Sequence, residues 1–474
     1  MKLNHILKKT LPLLLFLGIC SMSSCKKMLD IKPSDQLDQA DVFSSVAKLE
    51  MGVTGVYEGW YPEYALRIGT LMADECRIGP QNSGVSSAGQ NLFRWTFSSV
   101  DEEILAPWKN DYTVIDRVNR LLKGLPAVPV KNEKEAGQLK AIKGELLAIR
   151  ACLHFELYQV YAYSGVYRAE AYAVPYMLES SISSQPSRPL SAAFFDLFYK
   201  DLDNAEPLLN NDSNVRLGLN ALWALRARAA LYTQKYNEAV LYAGKVIKQV
   251  PLAGRSGFEA IWTDQNNAEV IFKLKRTGLS KIKPGDLFYN ISADRMLFVP
   301  SVKLMALYDP VADVRYTSWF KTDSSLPDKG ELAQFISKYQ GEKGTLNLRD
   351  LKLFRTGEMY LVRAEAALYN GDQQMAEKDL NTLRTARIQG YSDQHFNDKN
   401  QLQAALSAER FKELPYEGQR YFDLKRQNLP LERSAEDAES SFLALAPDAL
   451  HYYIPIPQSE VMANPNIRPN NKGW

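Results

Sequence analysis

Residues 225–240, LRARAALYTQKYNEAV, align with residues 362–377, VRAEAALYNGDQQMAE, at a constant offset of 137. No other pattern in the chain narrows the possible folds as far. Arg226, Ala227, Ala229, Ala230, Leu231, Tyr232 and Ala239 recur as Arg363, Ala364, Ala366, Ala367, Leu368, Tyr369 and Ala376. Small alanines allow two helices to approach closely, and the Leu-Tyr pair then fills the elbow between them. Both copies therefore predict stacked helix pairs. Pro251, which follows KVIKQV, ends the first copy.

Helical periodicity continues elsewhere. Residues 131–163 carry Leu139, Ile142, Leu146, Ile149, Leu153, Leu157 and Val160 in three- and four-residue steps, which place one apolar stripe on one helix face. Upstream, WKNDYTVIDRVNRLLKGL spaces Trp108, Tyr112, Ile115 and Asn119 similarly and stops at Gly124 and Pro126. The two segments predict a helical hairpin. Residues 74–107 and 276–349 show no sustained period and are rich in loop-forming residues, and the tail after Pro430 is irregular. Irregular segments of this length are uncommon in compact proteins and often carry function. The expected fold is mainly α: tetratricopeptide-like helical hairpins in an α-α superhelix, with long irregular loops.

The N-terminus reads as an export signal. Lys2, Lys8 and Lys9 precede an apolar run from about Leu11 to Cys20, shorter than the roughly 18–20 residues a membrane span requires, and small residues follow it. Ser23-Ser24 lead into Cys25. Removing the three leader lysines from 57 basic residues leaves 54 against 55 acidic ones. That balance gives no general attraction for nucleic acid or an anionic membrane face. Cys76 and Cys152 read as separate thiols, with Cys152 on a helix. The histidines His154, His395 and His451 fall in no zinc-binding spacing, and the chain has no GxSxG, GxGxxG or P-loop pattern.

Several segments together resemble the SusD/RagB family. They are the opening CKKMLDIKPSD, WKNDYTVIDRVNRLL with KGELLAIRACLHFELYQVYA, RTGEMYLVRAEAALYNGDQQMAEKDLNTLRTAR, ERFKELPYEGQRYFDLKR and the closing YYIPIPQSEVMANPNIRPNNKGW. The resemblance implies a signal over residues 1–24 and a SusD-like body over 25–474. The body divides into an N-terminal part, 25–250, with the first helical repeats, and a C-terminal part, 251–474. Cys25 resembles the lipidated cysteine of a bacterial lipoprotein. Two or three acyl chains hold a protein firmly at a membrane, at about 0.8 kcal/mol per buried methylene. The family implies a surface-exposed outer-membrane lipoprotein of a Bacteroidetes-type bacterium. Such a protein captures nutrients, most often oligosaccharides, for a SusC-like TonB-dependent transporter. No enzymatic activity, cofactor or nucleic-acid partner is implied.

A sugar site needs flat aromatic platforms and a few polar groups that fix orientation. Trp95, in NLFRWTF, is the first candidate, from a part of the chain where the family's ligand aromatics often lie. Asp74 and Arg77 are placed to reach hydroxyls from the neighbouring loop, or to pair with each other. Tyr289 and Trp319 come from the second irregular region. Trp60, Tyr61 and Tyr64 in GWYPEY are a weaker cluster. Glu409 and Glu413 share a helix face but read as structural ion pairs with Arg410, Lys412 and Arg420. Asp101-Glu102-Glu103 reads as a helix start, although calcium would accept such oxygens. Two other functions remain open: a tetratricopeptide-type interaction or peptide-binding lipoprotein without a glycan site, and a surface glycoside hydrolase. The hydrolase would require opposed carboxylates in one cleft.

Overall fold

The computed structural model describes residues 39–82, 89–163, 165–211, 213–328 and 331–474. The export signal, Cys25 and the lead KKMLDIKPSD lie outside the described residues.

The first predicted hairpin is formed by helices Glu102–Gly124 and Glu133–Tyr161. Asn132 caps the second helix by accepting from the Glu135 amide at 3.0 Å. The helices run antiparallel: Tyr161, at the end of the second, donates its hydroxyl to Ile104 O at 2.6 Å and accepts from the Trp108 amide at 3.0 Å. Midway along, Arg150 Nη1 donates to Asn119 Oδ1 at 2.9 Å. The first helix begins earlier than Trp108, where the periodicity was expected to start it. Proline disfavours a helix interior, yet the helix passes through Pro107, because Ile104 and Trp108 on either side both reach the core.

Both repeat copies fold into the same unit. Helices Leu219–Tyr232 and Tyr236–Gln249 form one pair; Thr356–Tyr369 and Gln373–Arg387 form the other. Their elbows match bond for bond. The Lys235 amide donates to Ala230 O at 2.8 Å, and the Asp372 amide donates to Ala367 O at 2.8 Å. Gln234 (φ 57°) and Gly371 (φ 87°) occupy the same left-handed position. Ala227, Ala229, Ala230, Ala364, Ala366 and Ala367 are buried, which confirms why small residues recur there. The pairs also pack on each other. Tyr236 stacks on Tyr369 with ring centroids 4.8 Å apart, and Arg228 grips Glu358 through Nε at 2.6 Å and Nη2 at 2.7 Å.

The non-helical regions contain short strands paired in twos. Cys76–Ile78 runs antiparallel to Phe298–Pro300, Val270–Leu274 to Leu351–Arg355, Tyr289–Asn290 to Arg295–Met296, and Phe320–Asp328 to Glu331–Ile336. One apolar cluster runs from Val46 to Ile467 and includes residues from the helical pairs and from these strands.

Charged side chains tie the irregular segments to the helices. Glu413, fully buried on helix Lys399–Glu413, accepts from Arg315 Nη1 at 3.0 Å, Arg355 Nη1 at 2.9 Å and Arg387 Nη2 at 2.9 Å. Glu409 accepts from Arg315 Nη1 and Arg384 Nε, both at 2.7 Å. The two glutamates are thus structural ion-pair partners, but of arginines far away in sequence. Of the neighbours expected to pair with them, Arg410 pairs with Asp423, Lys412 with Asp313 and Arg420 with Asp74. A glycine contact locks another junction. A Cβ on Gly69, in helix Glu63–Leu71, would lie 2.0 Å from Gly418 O.

Candidate functional site

Arg77 and Tyr289 lie on segments that one strand pairing joins. Arg77 lies on strand Cys76–Ile78 and donates through Nε to Pro300 O at 3.3 Å. The Tyr289 hairpin precedes the partner strand and is fixed to the same loop. The Met296 amide donates to Gln81 Oε1 at 2.8 Å, and Asn82 Nδ2 donates to Leu297 O at 2.9 Å. From behind, the buried Asn347 donates through Nδ2 to Tyr289 O at 2.7 Å and to Asp286 Oδ1 at 2.9 Å. Next to this hairpin is a cavity of ≈ 140 Å³ lined by Phe288, Tyr289, Met296, Phe335, Gln340 and Asn347, among others. Ring surfaces beside amide groups suit a ligand with both apolar faces and hydroxyls.

The other expected site residues lie elsewhere or are engaged. Trp95 is 5% exposed, donates through Nε1 to Met72 O at 3.0 Å, and lies under the Arg433 guanidinium 4.1 Å from its ring centre. Trp319 is fully buried, packs against Phe258 and Trp262, and has Lys338 Nζ 4.0 Å from its ring centre. Neither ring has a face open to a sugar; both are core. Asp74 does not pair with Arg77. It accepts from Arg420 Nε at 2.8 Å and Nη2 at 3.0 Å, and lies 2.9 Å from Lys303 Nζ. Burial pushes its carboxyl up, but the two cations outweigh that and hold it at about 2. Asp74 therefore joins three segments, and it is buried. In GWYPEY, Trp60 is fully buried, while Tyr61 lies beneath Arg276 at 5.1 Å and lines a separate cleft of ≈ 320 Å³.

Asp101 directly precedes the helix that begins at Glu102, so the acidic run is a helix start. Its carboxylate accepts from the Ser98 amide at 3.1 Å and from the Ser98 hydroxyl at 2.8 Å. Among the described residues, no group of three or more His, Cys, Asp or Glu is arranged to hold a metal ion. Cys76 and Cys152 are buried and unbridged, and burial pushes both thiols upward.

One cleft had no counterpart in the sequence reading. It measures ≈ 590 Å³ and lies between the segment after helix Glu133–Tyr161 and the C-terminal tail. Tyr163, Arg168, Tyr172, Arg188 and Tyr453 are among its lining residues. The tyrosine-rich stretch YAYSGVYRAEAY was the available signal, but the partner surface comes from residues nearly 300 positions later.

Comparison with known proteins agrees with this architecture along the chain. Residues 331–474 match the profile described as SusD family, and residues 27–231 match one described as starch-binding associating with outer membrane. The chain belongs to the SusD family. A SusD-like protein of Formosa agariphila is 23% identical, the alignment covering 89% of this chain and 92% of that one. Two crystal structures share the fold of this SusD-family chain. A SusD superfamily protein from Bacteroides thetaiotaomicron gives a TM-score of 0.79 at 24% identity, over 90% of this chain and 99% of the other. A putative sugar binding protein from Bacteroides vulgatus gives 0.77 at 24% identity, over 91% and 99%.

Proposed function

We propose that this SusD-family protein captures oligosaccharide at the outer surface of the outer membrane and passes it to a SusC-like TonB-dependent transporter. The observation that carries the proposal is the Tyr289 hairpin with the ring- and amide-lined cavity beside it, joined to the Arg77 strand. It is built from the irregular segments, while the helical pairs form the frame behind it. The relatives named for sugar or starch binding support the ligand class. Lipidation at Cys25 would hold the body at the membrane, and the lead that follows would lie against the transporter.

The role is capture without catalysis. Glycoside hydrolysis needs a carboxyl pair facing the substrate. The paired acids Glu409 and Glu413 are instead buried, and arginines hold both well into the ionised range against the upward push of burial.

Calorimetric titration of oligosaccharides tests the proposal, with Tyr289→Ala as the variant. Trp95→Ala is unsuitable, because its buried ring would leave a hole in the core. Saturable binding of one glycan class, weakened on the order of tenfold by Tyr289→Ala with unfolding unchanged, is the expected result. Silence across neutral and acidic glycans from the folded protein would overturn it and leave the helical pairs as a protein-binding scaffold.

A further inference from the structure

The cleft opposite the C-terminal tail has its own chemistry. Tyr163 and Tyr453 stack on one wall with centroids 5.3 Å apart and rings 26° from parallel. The exposed Arg168 guanidinium lies 5.3 Å over Tyr163. At the floor is Arg188, only 6% exposed, 5.5 Å from the centre of the Tyr172 ring. Its donors go to neutral oxygens: Nε to Ala173 O at 2.8 Å, Nη1 to Pro469 O at 2.8 Å, and Nη2 to Tyr172 O at 3.4 Å and Asn471 Oδ1 at 3.1 Å.

A buried guanidinium ordinarily faces a carboxylate, as Arg150 faces Asp201 and Arg276 faces Glu63. Among the described residues Arg188 has no carboxylate within ion-pair distance. Burial accordingly pulls its guanidinium down to about 10. Arg433 is likewise satisfied by carbonyls, but it is covered by the Phe93 and Trp95 rings. Arg188 instead opens onto ≈ 590 Å³, within the roughly 300–1,000 Å³ of ordinary small-molecule sites. The charged lining residues are Arg168, Arg188 and Lys472 against Glu170 and Asp448, a net charge of one positive.

We infer that this cleft is a second saccharide site, separate from the Tyr289 wall, that selects a sugar bearing a carboxylate. The tyrosines supply ring platforms, Asn428 supplies an amide for hydroxyls, and the carboxylate supplies the charge that the Arg188 floor lacks. The ligand class rests on the glycan-capture reading of the protein; the position and the charge preference do not.

The test is calorimetric titration of the full-length protein in detergent with a uronic-acid trisaccharide, its carboxyl-reduced neutral counterpart, and citrate. Arg168→Ala/Lys472→Ala changes only exposed side chains, so the fold is retained. The expected result is saturable binding of the acidic sugar, weakened at least tenfold by the double variant and unchanged by Tyr289→Ala. The neutral counterpart should bind at least tenfold more weakly than the acid. Equal binding of the neutral sugar removes the charge preference, and equal competition by citrate removes the saccharide specificity. Loss of acid binding in Tyr289→Ala but not in the double variant places the sugar at the first wall and overturns the inference. If neutral glycans bind at the Tyr289 wall while the acid binds nowhere, the second site fails and the capture function stands. If no glycan binds at all, both fail.

Discussion

Glu413→Gln is the sharpest test of how the irregular half is held. Three guanidiniums reach this fully buried carboxylate, those of Arg315, Arg355 and Arg387. At an effective dielectric near 20, each contact at roughly 4 Å contributes about 4 kcal/mol of attraction. Burying the carboxylate costs several kcal/mol. Neighbouring acids take back more, since Arg387 and Arg355 also face Glu269 and Arg315 also faces Asp313 and Glu409. The variant loses the charge and turns an amide donor toward cations, while every arginine keeps another carboxylate. The expected loss is therefore about 3 kcal/mol, at the lower end of the range for broken buried pairs. Urea unfolding measures it, with Asp116→Asn as control. Asp116 forms a half-exposed helix-surface pair with Arg120, where about 0.5 kcal/mol is expected. Burial raises the Glu413 carboxyl, but the arginines more than reverse this, so its folded value lies below the unfolded one. Its stabilisation is therefore fully present above the ordinary glutamate range and lost as pH falls through the folded value. The gap between wild type and variant should stay constant from about pH 5 to 8 and shrink below about pH 4. A loss under about 1 kcal/mol, or a gap that vanishes in high salt at neutral pH, would refute the reasoning, because buried pairs are poorly screened.

A second buried acid pair should act in the opposite sense. Burial first, then the charge of the facing Glu156 and the hydrogen bond shared with it, raises Asp111. Wild type should lose stability as pH rises from 5 toward 9, since the unfolded chain releases these protons first. Asp111→Asn should flatten that slope in pH-dependent urea melts and gain on the order of 1 kcal/mol at pH 8; an unchanged slope would exclude the pair as its cause. Gly69→Ala forces a methyl against the Gly418 carbonyl. A loss of about 3 kcal/mol in thermal unfolding is expected, and a variant within about 0.5 kcal/mol of wild type would mean that the two segments can separate freely.

The repeat was legible because its causes are local. Close helix approach needs Ala229 and Ala230 at fixed steps, and the elbow bonds from Lys235 and Asp372 span only five residues. The fate of the loop aromatics was not local. Trp95 is covered by Arg433, far away in sequence, and Trp319 by Lys338, which reaches it only once the irregular segment between them has folded back. The basic residues near Glu409 and Glu413 pointed to structural ion pairing but not to the arginines that answer them, since Arg315, Arg355 and Arg387 come from other elements. The Arg77 strand and the Tyr289 hairpin are joined because a strand pairing, Cys76–Ile78 with Phe298–Pro300, brings two distant loops together. The second cleft was hidden for the same reason: Arg188 and Asn471 meet only after the tail returns to the end of the first hairpin.

That return also sets an order of events. Asn471 donates to Tyr161 O at 2.9 Å, Arg188 to Pro469 O at 2.8 Å, and Arg433 to Ala73 O at 2.9 Å. The early loops thus receive their final partners only when the last stretch of chain arrives. Contacts of such long sequence separation slow folding, because loop closure must precede the contacts that reward it. The helical pairs can close on their own neighbours while the cleft beside the tail waits. During biogenesis the frame therefore matures before the cleft that the tail completes, and a chain cut short near its end would lack one side of that cleft.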